Sequence, residues 1–284
     1  LCQEIISVDL IFFCCIMKKI TFGRVIMLLT IDIGNTNISL GAFKDDKIVF
    51  TSRLATQRNR TQDQYAVELH NIFALNKSKA ASVDGAIISS VVPELTNAIK
   101  GAISLVTGCE SLVLGPGIKT GLNIITGSHT QVGADLVAAS VGAIAKYPLP
   151  CFVIDLGTAT KILLIDENAT FCGCTISAGV KISLDALSQR TSQLPAISLK
   201  TPSHAIGTNT IDCMLSGTVL GTAAMLDGLT ERMEKEFGKA IKSTVATGGL
   251  SKEIVKSCYR EVTHDPDLIF EGLRVIYEKN VKTK

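Results

Sequence analysis

Leu28-Leu29-Thr30-Ile31-Asp32-Ile33-Gly34-Asn35-Thr36-Asn37 and, further along, Phe152-Val153-Ile154-Asp155-Leu156-Gly157-Thr158-Ala159-Thr160 follow one pattern. In each, an apolar run reads as a buried strand closing on an Asp, and Gly with hydroxyl or amide residues fills the turn beyond. Such a turn offers backbone N–H groups and small donors to phosphate oxygens, while the Asp holds a cation or a water. A single copy is compatible with an ordinary strand-to-loop transition. Two copies, each opening one half of the chain and each followed by strand pairs, predict two like domains facing one nucleotide. An ATP-using enzyme is the expectation.

At 284 residues, 46% of them hydrophobic and 19% charged, the chain can fill two cores of ordinary size. The formal net charge is +2 and the Lys and Arg are scattered, without the basic stripe that nucleic-acid binding leaves. Nine cysteines suggest a disulfide or zinc framework, but Cys14-Cys15 are adjacent and Cys172-Gly173-Cys174 leaves one residue between thiols. Reduced thiols in a cytoplasmic protein are expected. The run Asp9–Met17 is too short to span a bilayer, and Glu4 before it with Lys18-Lys19 after it is the wrong charge order for a signal peptide. No membrane association is expected. Residues 1–26 read as an extension outside the folded protein, with Met27 as the natural start.

From Met27 the pattern is α/β. Strand 28–33 leads to a hairpin of 38–43 and 47–52 turned at Lys44-Asp45-Asp46. Tyr65, Ala66, Leu69, Ile72 and Phe73 have helical spacing over 62–75. Strand 85–88, a helix over 94–106 opened by Pro93 and closed by Gly108, and strand 111–114 follow. A helix over 134–146 and the prolines at 148 and 150 end the first domain, 27–147. The second, 148–284, repeats the order with strands 151–155, 161–165 and 170–176 and a helix near 180–189. A helical pattern over about 210–236 carries a small face of Ser216, Gly217, Gly221, Ala224 and Gly228, suited to close helix–helix approach. Strand 244–246 and helices at 250–257 and 268–279 complete the chain.

Other features admit two readings each. The loop Gly115-Pro116-Gly117 with Gly121 is either a flexible connection or a binding loop, and it lacks the Rossmann and P-loop spacings. Asp135 in Gly133-Ala134-Asp135 is either an acid favoured by a helix dipole or a base that accepts a substrate hydroxyl proton. Thr247-Gly248-Gly249 is either a tight turn or a place where adenine or ribose lies against backbone. His70, His129, His204 and His264 do not assemble a site by spacing.

With these residues identified, the chain resembles the type III pantothenate kinases of the acetate and sugar kinase/Hsc70/actin superfamily. The match runs from Met27 to Asn280 through Asp32–Asn37, Ser89-Ser90-Val91-Val92-Pro93, Gly115–Leu122, Gly133-Ala134-Asp135, Asp155–Thr160, Gly207-x-Asn209-Thr210, Ala246–Leu250 and Glu271-Gly272-Leu273. The resemblance implies two RNase H-like (actin-like ATPase) domains around a nucleotide cleft, a homodimer, and phosphorylation of pantothenate by ATP, with Mg2+, as the first step of coenzyme A biosynthesis. It implies that Asp32, Ile33, Gly34, Asn35, Thr36, Asn37, Ile38, Ser39 and Thr158 bind ATP. Asp155 would hold a monovalent cation (K+ or NH4+), and Asp135 would be the general base. Gly133, Ala134, Asp135, Leu136 and Thr210 would line the acceptor.

The acceptor side departs from the family pattern. Leu136 stands where the family has Arg, Thr126 where it has Tyr, His129 where it has Pro, and Gly173–Gly179 alters a Gly-Gly-x-Ile-x-Pro-Gly run. A lost Arg removes a charge-assisted hydrogen bond of about 1.5–3 kcal/mol. The alternatives are a kinase of a different small hydroxyl acceptor and a non-catalytic nucleotide-binding paralogue with a regulatory role.

Overall fold

The computed structural model describes residues 27–125 and 132–281. The extension expected at residues 1–26 and the positions Thr126 and His129 lie outside the described residues. The first sheet comprises β1 (Leu28–Ile33), β2 (Asn37–Lys44), β3 (Lys47–Ala55), β4 (Gly85–Ser90) and β5 (Ser111–Val113), in the order β3-β2-β1-β4-β5. β1 pairs antiparallel with β2 and parallel with β4. It is central because both its faces are apolar: Leu28, Leu29, Ile31 and Ile33 are all buried.

The second sheet repeats this arrangement. β7 (Cys151–Leu156), β8 (Ala159–Ile165), β9 (Thr170–Ala178), β10 (Ser243–Thr247) and β11 (Thr263–His264) stand in the order β11-β10-β7-β8-β9, and β6 (Asn123–Ile124) adds at the β9 edge. β7 takes the place of β1, antiparallel to β8 and parallel to β10. Asp32 and Asp155 therefore occupy equivalent sites. The duplication seen in the sequence is a duplication of topology.

Helices cover the sheets. α1 (Gln62–Leu75) starts at a capping box of Thr61 and Gln64, and α2 (Pro93–Thr107) starts on Pro93 and ends at left-handed Gly108. Their Tyr65, Leu69, Phe73, Leu95 and Ile99 pack on one face of the first sheet. On the other face lie α3 (Ala134–Lys146) and α8 (Leu268–Val281), through Val137, Val141, Leu273 and Ile276. α3 also turns Leu136, Ala139 and Ala143 toward Cys151, Val153 and Leu163 of the second sheet. The α3/α8 pair is thus wedged between the two sheets. α4 (Val180–Arg190) follows β9.

The pattern expected as a single helix over 210–236 is one continuous helix, Thr210–Phe237, with a π turn inside it. α5 (Thr210–Leu215) passes through a π turn at Ser216–Leu220 into α6 (Gly221–Phe237), which ends at left-handed Gly238. Thr210–Phe237 is long and apolar enough to cross a membrane by length and composition, yet Val219, Ala223 and Leu226 pack on Phe152, Ile154 and Ile162 of the second sheet. The close approach expected of its small face is not made within the described residues: a Cβ on Gly217, Gly221 or Gly228 would meet open space. Near the C-terminus, α7 (Ser251–Ile254) is a single turn continued as 3-10 helix to Ser257.

The wedge depends on two glycines. A Cβ on Gly142 would lie 2.2 Å from the Leu268 carbonyl oxygen, and one on Gly272 would lie 1.8 Å from that of Ala138. Both obstacles are backbone and cannot rotate away. Gly142→Val or Gly272→Val should destabilise by about 1–3 kcal/mol or more. Chemical denaturation checks this; wild-type stability in both variants would show that the helices separate freely.

Candidate active site

The two motif turns meet. In the first, Gly34 N–H donates to the Asn37 carbonyl at 3.0 Å, and Thr56 Oγ1 donates to the Gly34 carbonyl at 2.6 Å. These bonds fix a short loop with Asn35 and Thr36 exposed at its tip. In the second, Thr158 is exposed at the tip, and Gly179 packs so closely beneath it that a Cβ would lie 2.1 Å from the Thr158 carbonyl oxygen. Thr36 Oγ1 and Thr158 Oγ1 are 2.9 Å apart, joining turns 122 residues apart in sequence. Arg58 reaches the same tip, donating to Asn35 Oδ1 at 3.1 Å.

Below the turns is a cluster of acids. Asp32 stands opposite Ser39 on β2 and Ser89 on β4. Its Oδ1 and the Ser89 Oγ are both sealed from solvent without a hydrogen-bond partner among the described residues. Burial, then the charges of Asp135 and Asp155, push the Asp32 carboxyl up from 3.8 to about 7, against smaller opposing pulls from the nearby Ser89 hydroxyl and from Lys161. Asp135 enters from the first turn of α3, where its Oδ1 accepts the Leu136 N–H at 2.9 Å. Asp155 stands on β7 directly across from Lys161 on β8. Lys161 Nζ donates to Asp135 Oδ2 at 2.6 Å and to Asp155 Oδ2 at 2.9 Å, bridging the two acids. Burial raises the Asp155 carboxyl while Lys161 opposes the rise. Burial alone would lower the Lys161 ammonium; Asp155 and Asp135 reverse that and hold it well above its ordinary range.

The acceptor-side residues separate into two groups. Thr210 lies on a groove of about 1020 Å³ with Ala178, Asn209, Met214, Thr218 and Met225, and Ala178 pairs with Ala159 beside the second turn. Asn209 caps α5 by accepting the Asp212 N–H at 3.0 Å, which sets Thr210 at the helix start. None of the described residues lining this groove is charged. Gly133 is held by Asp135, whose Oδ1 would be 2.5 Å from a Cβ there. Leu136 is not brought to the groove. It is 7% exposed, its side chain lies in the apolar cluster with Phe171 and Leu163, and its N–H is taken by Asp135.

Two of the stretches with open readings also have a structural task. The loop after β5 is pinned to α8, with Lys119 N–H donating to Asn280 Oδ1 at 3.1 Å and Asn280 Nδ2 to the Lys119 carbonyl at 2.9 Å. Gly248 has φ +97, and a Cβ there would lie 2.6 Å from the Leu156 carbonyl carbon, so it lets the turn after β10 press on β7. The sequence reading missed Lys161. Its signal was present: a short turn at Gly157-Thr158 sets β8 antiparallel to β7 and places the residue after Thr160 opposite Asp155.

Duplicated α/β sheets whose motif turns face each other define the two-domain, actin-like ATPase fold of two RNase H-like halves. A Campylobacter jejuni protein described as a Baf family transcriptional activator shares this fold at TM-score 0.57 and 20% identity, over 89% of this chain and 99% of its own. Ethanolamine utilization protein EutJ from Carboxydothermus hydrogenoformans shares it at TM-score 0.51 and 14% identity, over 88% and 89%. At those identities the likeness concerns the fold alone. Residues 28–232 match the family described as type III pantothenate kinase. Proteins of that description from Exiguobacterium sp. and Halalkalibacterium halodurans are 41% and 40% identical, each over 90% of this chain and 100% of the relative. The chain belongs to the type III pantothenate kinase family.

The Asp32 carboxyl yields a stability prediction. Between about pH 4 and pH 7 the unfolded chain gives up a proton that the folded chain keeps. This contribution to ligand-free stability is therefore full at low pH, declines through that window and is lost above about pH 7. Asp32→Asn should raise the melting temperature of the ligand-free protein, by more at about pH 8 than at about pH 5. Calorimetry at the two pH values checks it, and a lower melting temperature at pH 8 would refute the assignment.

Proposed function

We propose that this chain transfers the γ-phosphoryl group of ATP to the hydroxyl of pantothenate, giving 4'-phosphopantothenate at the start of coenzyme A synthesis. The observation that carries this reading is the Asp135 carboxylate, held beside Asp155 by one shared ammonium, next to the place where the two turns meet. Family membership supports it. The turn Asp32–Ser39 and Thr158 hold the phosphates through N–H and hydroxyl donors. Asp135 takes the hydroxyl proton as that oxygen bonds to the γ-phosphorus and the bond to the β–γ bridging oxygen breaks, releasing ADP. Lys161 aims Asp135 through its bond to Oδ2. Positioning and charge stabilisation supply most of the rate in such a transfer.

Mg2+ fits this site. The buried, unpartnered Asp32 Oδ1 is an oxygen donor of the kind Mg2+ takes alongside substrate phosphates, and the carboxyl's raised position marks a site short of positive charge. When bound, the ion would neutralise phosphate oxygens. The groove at Thr210, whose wall includes Gly217 and Gly221, is the proposed acceptor site, and the open small-residue face that continues from it to Gly228 is the proposed contact with a second copy. Domains 27–147 and 148–284, a cytoplasmic location and the absence of nucleic-acid or membrane partners complete the reading. The uncharged groove favours a second reading, a kinase of a small neutral alcohol, since pantothenate carries a carboxylate.

ATP turnover measured without acceptor, with pantothenate and with its uncharged amide separates these readings. Stimulation by pantothenate supports the first, stimulation by the amide alone supports the second, and no stimulation by either removes both. Asp135→Asn should lower kcat by about 10²-fold or more with a melting temperature close to wild type. Wild-type turnover in that variant would assign the base elsewhere.

A further inference from the structure

The site carries its own monovalent cation. The resemblance implied K+ or NH4+ at Asp155, but the donor set found there does not suit a free ion. Asp155 Oδ2 is already bonded to Lys161 Nζ at 2.9 Å, and Asp135 Oδ2, the neighbouring anionic oxygen, is bonded to the same nitrogen at 2.6 Å. The side chains of Lys161, Asp135 and Asp155 are 16%, 15% and 11% exposed, so the ammonium sits within the site and not at its rim. A second monovalent cation placed to share these oxygens would meet a like charge at contact distance in a poorly solvated setting.

The backbone fixes this arrangement. Lys161 is the direct antiparallel partner of Asp155, so the pleat sends both side chains from the same face of the sheet. The duplicated topology supplies an internal comparison: in the first sheet the residue opposite Asp32 is Ser39, with no charge to offer. An ammonium has the charge of K+ and the shape of NH4+, and two of its three donors are accounted for by the two acids.

We propose that Lys161 is a tethered substitute for a monovalent cation: it neutralises Asp155, orients Asp135 and makes phosphoryl transfer independent of K+ and NH4+. It acts through Asp135 and is a positioning residue. The proposal rests on the kinase reading above for its activity arm, and on direct ion binding for an arm that needs no turnover.

Turnover of the wild-type protein with ATP, Mg2+ and acceptor is compared in choline, Na+, K+ and NH4+ chlorides at equal ionic strength. The rates should agree within about twofold. Lys161→Ala should fall tenfold or more in choline and recover in K+ or NH4+ but not in Na+, whereas Lys161→Arg should stay insensitive to the ion. A merely structural lysine would not give cation-specific rescue. In parallel, calorimetric titration with Tl+, a K+ mimic, should show no binding to wild type and stoichiometric binding to Lys161→Ala. A wild-type rate that rises tenfold with K+, or Tl+ binding by the wild type, overturns the proposal whether or not the variants fold. Absence of turnover in every salt overturns the kinase reading instead and leaves the Tl+ result to decide the role of Lys161.

Discussion

The contact of two helix backbones at Gly142 and Gly272 is the constraint from which the rest follows. α3 and α8 touch where neither can carry a side chain, so their separation is set by main-chain atoms. Residues on both sides of α3 then reach one sheet each, Val137 and Val141 the first, Leu136 and Ala139 the second. This fixes the spacing of the sheets, and with it the distance between the turns on β1 and β7. The first turn of the same helix carries Asp135. Fold and acid cluster are therefore coupled through one element: whatever moves α3 moves Asp135.

The cluster that this geometry assembles is short of positive charge. Asp32, Asp135 and Asp155 converge with one lysine among them, and the cost falls on the acid that the lysine does not bond. Asp32 has no ammonium bonded to it, and burial with two neighbouring acids raises its carboxyl to about 7. A site in that condition is stabilised by any ligand bringing cationic charge to the Asp32 side, as a nucleotide complexed with a divalent ion does. The folded protein thus bears a local electrostatic penalty that ligand binding relieves.

Much of this was legible in sequence. Apolar runs closing on Asp-x-Gly marked the central strands, Pro93 and Gly108 marked the ends of one helix, and the order of strands and helices recurred in the two halves. The residues that were not legible share a physical cause, dependence on distant partners. β6 and β11 are two residues each and exist because β9 and β10 offer free edges. The π turn at Ser216–Leu220 leaves the apolar periodicity on either side nearly intact, so it reads as one helix. α8 follows the second half in sequence but packs on the first sheet, and β6 does the reverse, exchanges that no local pattern records. Leu136, which the resemblance put on the acceptor side, packs in the apolar cluster between α3 and the second sheet, since successive helix residues point about 100° apart and Asp135 faces another way.

Lys161 illustrates how much a register carries. Read alone, a lysine two positions after a Thr-Ala turn is an ordinary strand residue, and in most sheets it would face solvent. Pairing it with Asp155 puts an ammonium where its partner acid is buried, and α3 then brings a second acid to the same nitrogen from a different part of the chain. The first sheet, built on the same strand order, places an uncharged Ser39 at that point. Two copies of one topology have thus taken opposite electrostatic characters: one leaves its Asp unpaired beneath the first turn, the other neutralises its Asp from within. That asymmetry distinguishes the two ends of the cleft. The unpaired side suits a ligand that arrives with a cation, and the paired side presents two carboxylates already neutralised in part by Lys161.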